Sequence, residues 1–341
     1  MDSFEIKRLD KSTIDQQIEV YIDSFNLDDS IHINQIRETW NIKHFENPIA
    51  DSFIFGAYDG GELVGINAFL NMIYIYKGKR YRVLQSCESG VKSTHQRKGI
   101  WKKIMEYAVS YFEENKICDF LIGFPNYVNS YPGFVKLNWK TISNLSNFIF
   151  INNGKETVRA FLGIDSSLCR LFSMQKLFLG SLKENKYSVK EYSNRNFDKK
   201  QWYKQDSVAL EVNEAWLRWR VKYKKYNIYT VYYGFDPVLN VVIDKKSKNN
   251  VTYYEIIKFF LIDESFSKYE LMRRFLLYLT QKKDCNFIRM SFSNNYEDKK
   301  LLKRLGFIET KRHPNPFIVK KINDSLFMDN FIWKPSFWEL D

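Results

Sequence analysis

The chain has 341 residues, enough for two domains that each bury a full hydrophobic core. Hydrophobic residues make up 45% and charged residues 27%, which excludes a disordered chain and a fibrous repeat. No stretch approaches the roughly 18 apolar residues of a membrane span, and no apolar core follows a basic N-terminus, so we expect no span and no secretory signal, and a cytoplasmic protein.

The charge is unevenly divided. Residues 1–150 contain 17 Lys and Arg against 18 Asp and Glu, whereas residues 151–341 contain 35 against 22, so the net charges are −1 and +13. This asymmetry favours an anionic partner for the second part, such as a nucleotide, a phosphorylated substrate, RNA or an acidic membrane surface; solvated lysine-rich faces are an equal alternative. The excess includes one basic run, formed by Arg218, Arg220, Lys222, Lys224 and Lys225.

The cysteines and histidines are isolated from one another. Without CxxC spacing, the cysteines are interpreted as reduced, mostly buried thiols, and four scattered histidines predict no metal site. The cysteines are Cys87, Cys118, Cys169 and Cys285.

In chain order, the first part predicts an α+β domain. Two short helices lie between residues 14 and 47, and hairpins follow around Asp59–Gly61 and Lys77–Lys79. A helix over residues 99–115 and a buried strand over 120–124 complete it. The same order recurs weakly downstream, with strands at 228–233, 238–243 and 252–262, a helix at 269–282 and a strand at 287–291. The sequence therefore predicts a duplicated domain.

The segment His95–Trp101 lies between a predicted strand and a predicted helix. Such a turn gathers unpaired backbone N–H groups at the positive end of a helix dipole, which suits a pyrophosphate. Gly99 would let the backbone approach the phosphates closely. Positive charge is added by Arg97, Lys98, Lys102 and Lys103.

This segment resembles the Q/R-x-x-G-x-G/A signature of the GNAT acyl-CoA N-acyltransferases. Gln96 and Gly99 match it, whereas Trp101 replaces the last small residue. The resemblance implies two tandem GNAT-like domains, each a mixed, mostly antiparallel twisted sheet flanked by helices. We expect residues 1–150 to carry the acyl-CoA site, residues 151–185 to be a helical connector, and residues 186–341 to be a degenerate copy that supports the fold or the substrate cleft.

The resemblance also implies acetyl-CoA as co-substrate, without a metal. Main-chain groups on the fourth strand would bind the pantetheine arm, and the turn after it would bind the pyrophosphate. Polar side chains after the fifth strand would face the cofactor, although Asn129 is equally suited to cap the next turn. The expected cofactor-binding residues are Ser89, Gly90, Val91, Gln96, Arg97, Lys98, Gly99, Ile100, Trp101, Asn126 and Asn129.

Direct transfer to an amine needs a base and an acid. Glu88 is the candidate base; its alternative is an ion pair, for instance with Arg82. Phe134 occupies the position of the family's tyrosine acid, so Tyr131 is the nearest phenol, or else a packed loop aromatic.

The second copy lacks the glycine turn. Asp263 and Glu264, which precede its helix, would repel a pyrophosphate, so one cofactor site is expected. The leading hypothesis is an N-acetyltransferase for a small amine, an amino sugar or its nucleotide-linked form. One alternative resembles the FemABX peptidyltransferases, which use aminoacyl-tRNA; the other is a degenerate binding protein. The oligomeric state is left open.

Overall fold

The computed structural model describes residues 4–27, 33–162, 179–180, 186–192, 207–248, 251–282, 284–293 and 298–326, together with 331, 333 and 335. In the first half the elements are β1 (Glu5–Leu9), α1 (Ile14–Ser24), α2 (Ile33–Phe45), β2 (Phe53–Asp59), β3 (Glu62–Tyr76), β4 (Lys79–Val91), α3 (Ile100–Glu114), β5 (Phe120–Gly123), α4 (Tyr131–Lys136), β6 (Lys140–Ile151) and α5 (Gly154–Leu162).

The second half repeats the order. Its elements are β7 (Tyr187–Tyr192), β8 (Ala209–Leu210), α6 (Glu214–Lys224), β9 (Asn227–Tyr233), β10 (Asp236–Lys248), β11 (Val251–Leu261), α7 (Lys268–Thr280), β12 (Phe287–Ser293), α8 (Lys299–Arg304) and β13 (Ile308–Lys321). The series from β2 to β6 thus recurs as the series from β9 to β13. This confirms the predicted α+β fold and its repeat.

The two repeats share one mixed sheet and exchange their last strands. The order in the described residues is β1-β2-β3-β4-β5-β13-β6-β12-β11-β10-β9-β7, with β8 beside β3. Strand β13 of the second repeat pairs with β5 of the first, where Val319 lies opposite Ile122. Reciprocally, β6 pairs with β12, where Phe148 lies opposite Met290. Since β6 and β13 also pair with each other, each repeat completes the sheet of the other.

Helix α3 covers one face of the first repeat's sheet. Its buried residues Ile100, Ile104, Ala108 and Phe112 recur every four positions, which gives the helix one apolar stripe. Burial of each large side chain contributes about 1.5–3 kcal/mol, which holds the helix against the sheet. On the opposite face α6 packs against α2, and the Trp219 indole donates to the Ile42 carbonyl at 2.7 Å.

The remaining sequence predictions concern thiols and the connector. Cys118 and Cys285 are buried and Cys87 is half-buried, whereas Cys169 lies outside the described residues. Of the predicted connector 151–185, only α5 and a few single positions are described. None of the described helices is long and apolar enough to cross a membrane, and the described side chains form no cluster typical of a metal site.

Candidate active site

Strand β4 extends beyond the part of it that pairs with β5. The parallel ladder has three pairs and ends where Gln85 lies opposite Ile122, one residue before β5 ends, whereas β4 continues to Val91. The main-chain groups of β4 beyond Gln85 therefore have no partner in β5. Ser89, Gly90 and Val91, the expected pantetheine residues, lie on this length of β4.

A β-bulge aims Glu88 away from the ladder. The register between β3 and β4 passes from Ile66 opposite Gly90 to Ala68 opposite Cys87, so that Asn67 faces two residues. Those residues are Glu88, whose φ is +42°, and Ser89, whose hydroxyl donates to the Asn67 amide oxygen. Such bulges redirect a side chain.

The carboxylate of Glu88 faces the end of α2. Its Oε1 forms an ion pair with Lys43 Nζ, and its Oε2 lies 3.6 Å from His44 Nε2. The partner in the ion pair is thus Lys43 and not Arg82, whose backbone N–H donates to Asp119. The sequence analysis missed Lys43 and His44; the available signal was two basic residues in the last turn of a helix.

The predicted phosphate turn ends in an uncapped helix. A short 3-10 turn at Ser93–His95 leads to Arg97 and Gly99, both with positive φ, at +65° and +77°. Gly99 is the N-cap of α3 and contributes no side chain, so the amides of the first turn are left for an outside acceptor. Residues 96–99 are exposed. This geometry suits a pyrophosphate, which the helix dipole also favours.

Acidic side chains of α1 and of the β2–β3 hairpin bind the start of the predicted phosphate turn. Lys92 Nζ bridges Glu19 at 2.5 Å and Glu62 at 2.7 Å. The backbone N–H of Ser93 donates to an Asp23 carboxylate oxygen at 2.5 Å, which anchors the turn to α1. Burial alone would lower the pKa of Lys92, but the two carboxylates outweigh it and raise that pKa. The turn is therefore anchored to α1 and to the β2–β3 hairpin.

Trp101, the departure from the signature, points towards α4. Its ring meets the ring of Phe134 edge-on at 4.9 Å. It also lies over Gly133, where an added Cβ would be 2.7 Å from Trp101 Cζ3. The indole therefore occupies a space that Gly133 provides.

The polar side chains that follow β5 form hydrogen bonds with nearby residues. Asn126 Oδ1 accepts hydrogen bonds from the backbone N–H groups of Val128 and Asn129, at 3.0 and 3.1 Å. The hydroxyl of Tyr131 lies 2.8 Å from Thr141 Oγ1, and its ring stacks on Tyr127. Phe134, at the family's tyrosine position, is buried in the core under α3. Tyr131 thus keeps its hydroxyl at the surface.

In the second repeat, the turn before α7 differs from the turn before α3 in its N-cap and in its hydrogen bonds. Helix α7 has Ser267 as its N-cap, and the Ser267 hydroxyl accepts from the Glu270 N–H at 3.5 Å. Asp263 caps the Ser265 N–H, and Lys268 pairs with Asp298 at 2.6 Å. The donors that a phosphate would need are here partly satisfied from within.

The basic run on α6 is divided between surface and interior. Arg218 pairs with Glu214 and Lys222 with Glu46, whereas Arg220 is fully buried and bonded to the Tyr223 hydroxyl. The run therefore does not form a single exposed cationic face.

The sequence was compared with protein families and curated proteins. Residues 5–141 match the family model described as Acetyltransferase (GNAT) domain. No curated protein matches the chain in sequence.

Solved structures share the fold over nearly the whole chain. A probable N-acyltransferase from Enterococcus faecalis has a TM-score of 0.66 at 10% identity, over 94% of this chain and 73% of that one. A GCN5-related N-acetyltransferase from Anabaena variabilis has a TM-score of 0.64 at 9% identity, over 94% and 73%. A tandem GNAT protein from the clavulanic acid biosynthesis pathway has a TM-score of 0.58 at 11% identity, over 95% and 100%. Residues 5–141 therefore match the GNAT acetyltransferase domain, and the chain as a whole is similar in fold to these N-acetyltransferase structures, including a tandem GNAT protein.

Proposed function

We propose that the protein transfers an acetyl group from acetyl-CoA directly to the amine of a small molecule. One observation carries the proposal: the uncapped start of α3 at Gly99 follows a length of β4 that has no partner in β5. The turn would bind the pyrophosphate of a cofactor, and the unpaired length of β4 would bind its extended arm.

The cofactor would be held mainly by backbone. The amides of residues 97–101 would bind the pyrophosphate, and the free edge of β4 at residues 89–91 would pair with the pantetheine arm. The Gln96 side chain donates to the Val91 carbonyl at 3.3 Å, which joins the two segments. Asn126 and Asn129 would border the arm from the loop after β5. When bound, acetyl-CoA supplies the acyl group as an activated thioester.

Glu88 is the proposed base. It takes a proton from the attacking amine, directly or through one water, while the new C–N bond replaces the C–S bond. The β-bulge turns its carboxylate off the pairing edge of β4 and towards the end of α2.

Tyr131 is the proposed acid. Its hydroxyl has a hydrogen-bond partner in Thr141, and its ring stacks on Tyr127, which supports a defined orientation of the phenol. Protonation of the departing sulfur by Tyr131 closes the proton balance of the reaction.

The second repeat would supply support and part of the acceptor cleft. We propose the division into residues 1–150, a connector at 151–185, and residues 186–341 without a cofactor of their own. The capped start of α7 supports that role. The +13 charge of the second half favours an acceptor that carries phosphate, such as an amino sugar phosphate or a nucleotide-linked amino sugar.

Thermal unfolding with and without acetyl-CoA tests the proposal. A ligand at 100 times its dissociation constant adds about 2.7 kcal/mol of stability, so a clear rise in melting temperature is expected. Release of free thiol on addition of each member of an amine panel then identifies the acceptor. No rise at millimolar acetyl-CoA, together with binding of tRNA that falls steeply with salt, would favour the aminoacyl-tRNA alternative instead.

A further inference from the structure

A buried asparagine side chain lies at the β-bulge of β4. Asn67 of β3 is fully buried, and it is the residue that faces both Glu88 and Ser89. Burial of an amide group is costly unless its hydrogen bonds are made within the protein. The partners of the Asn67 amide therefore indicate which part of β4 it holds.

The Asn67 amide joins the two sides of the bulge. Its Oδ1 accepts a hydrogen bond from the hydroxyl of Ser89, the residue after Glu88. Its Nδ2 donates to Ser86 Oγ, two residues before Glu88, at 3.2 Å, and to the Ala68 carbonyl of its own strand at 3.1 Å. One side chain of β3 thus bridges β4 from Ser86 to Ser89.

The bridge spans a residue in an uncommon backbone conformation. Glu88 has a φ of +42°, in the left-handed region that residues other than glycine seldom adopt. Such a conformation persists where the surrounding contacts determine it. Because one amide fixes Ser86 and Ser89 on either side of Glu88, the bridge holds the main chain in this conformation.

The second repeat has a bulge without such a bridge. The register between β10 and β11 shifts between Val242 and Ile243, which lie opposite Lys258 and Ile256. Val242, Ile243 and Ile256 are fully buried apolar residues. A bulge in this fold therefore forms without a buried amide, so the bridge of the first repeat points to a further requirement on β4.

That requirement concerns the length of β4 that has no partner in β5. The Ser89 hydroxyl is used within the protein, so residues 89–91 offer a ligand mainly their main-chain groups. We propose that Asn67 is a positioning residue for acetyl-CoA, which holds residues 89–91 in the conformation that binds the pantetheine arm. This inference rests on the proposed function, because that function assigns the arm to this segment.

Calorimetric titration with acetyl-CoA tests the inference. Asn67→Leu removes the bridge with little change in side-chain volume, and it should raise the dissociation constant about fivefold or more. Ser89→Ala removes one end of the bridge and should weaken binding in the same direction.

The matched control is Asn240→Leu in the second repeat. Asn240 is also a buried asparagine that accepts a hydrogen bond from a hydroxyl on a neighbouring strand, that of Thr230, at 2.7 Å. This variant should leave the affinity unaltered. An unchanged affinity in Asn67→Leu, or an equal loss in Asn240→Leu, overturns the inference.

The double variant of Asn67→Leu and Ser89→Ala shows whether the two residues act through one bridge. Either substitution alone already breaks their contact. The loss of affinity in the double variant should therefore be smaller than the product of the two single fold-changes. Losses that multiply would show that the residues act independently and would overturn the inference.

Amide hydrogen exchange of the ligand-free chain separates this inference from the proposed function. Exchange in residues 86–91 should be faster in Asn67→Leu than in the unaltered chain or in Asn240→Leu, because the bulge is no longer held. Unchanged exchange overturns the inference. Failure of acetyl-CoA to bind the unaltered chain would instead overturn the proposed function and the assigned ligand, while the exchange rates still decide whether Asn67 holds the bulge.

Discussion

Trp101 and Gly133 form a complementary pair. The indole that replaces the small residue of the phosphate signature rests where Gly133 has no side chain, and a Cβ there would approach within 2.7 Å. The bulky residue is thus directed towards α4. The first turn of α3 has no side-chain cap.

Gly133→Ala should be destabilising because the added Cβ would lie 2.7 Å from Trp101 Cζ3 and would displace the indole from its contact with Phe134. Overpacking of this kind costs about 1–3 kcal/mol. Urea unfolding measures the loss. In a Trp101→Leu background the same change should cost less, since the conflicting ring is gone; an equal cost in both backgrounds would show that the two residues do not interact.

Gly99→Asp should weaken acetyl-CoA binding. A carboxylate at the N-cap would occupy the amides and repel the pyrophosphate, and we expect a loss of about tenfold or more, or about 1.4 kcal/mol. Calorimetric titration measures the affinity. Ser267→Asp is the control, because it places a carboxylate at the N-cap of the second repeat, and it should leave the affinity unaltered. Unchanged binding by Gly99→Asp would contradict the assignment of the phosphate turn.

Lys92→Met should raise the dissociation constant of acetyl-CoA with little change in kcat. The substitution releases the turn from Glu19 and Glu62, neither of which is the proposed acid or base. Equilibrium binding and initial rates separate the two effects. A loss confined to kcat would contradict a role in anchoring.

The same bridge predicts a pH window for stability. Hydrogen bonding and charge from Lys92 lower the pKa of Glu62 from its ordinary 4.5. The contribution of Glu62 to the stability of the fold is therefore present above pH 4.5 and is lost as the pH falls through the lowered pKa. Because the pKa of Lys92 is raised, the contribution of Lys92 to the stability of the fold is present below pH 10.5 and is lost as the pH rises through the raised pKa. The difference in melting temperature between the unaltered protein and Lys92→Met should therefore be constant between these limits and shrink outside them.

The exchange of β6 and β13 predicts that both repeats unfold together. Phe317 on β13 is fully buried, and Phe317→Ala should cost about 3–5 kcal/mol. Because β13 lies between β5 and β6, amide hydrogen exchange should speed up in both repeats, and calorimetry should show one transition. Two separate transitions, with only one sensitive to the substitution, would contradict this coupling.

Much of the local structure could be predicted from sequence. The apolar stripe of α3 and the glycine turns of the hairpins depend on residues close together in the chain, and the helix predicted over 99–115 is observed as Ile100–Glu114. The recurrence of the same element order after residue 227 indicated a repeat, because each of those elements also depends on residues close together in the chain. Gln96 and Gly99 carried the family resemblance because a backbone phosphate site is built from consecutive residues.

Only the tertiary structure decided how distant segments meet. Lys43 and Glu88 are 45 residues apart, and no local pattern identifies one as the partner of the other. The exchange of strands likewise depends on pairing between β13 and β5, nearly 200 residues apart. Side-chain period and turn chemistry act over a few residues, and they determine helices, hairpins and the phosphate turn. The choice of partners across the sheet, and hence the surroundings of Glu88, follows from burial and charge compensation over the whole fold.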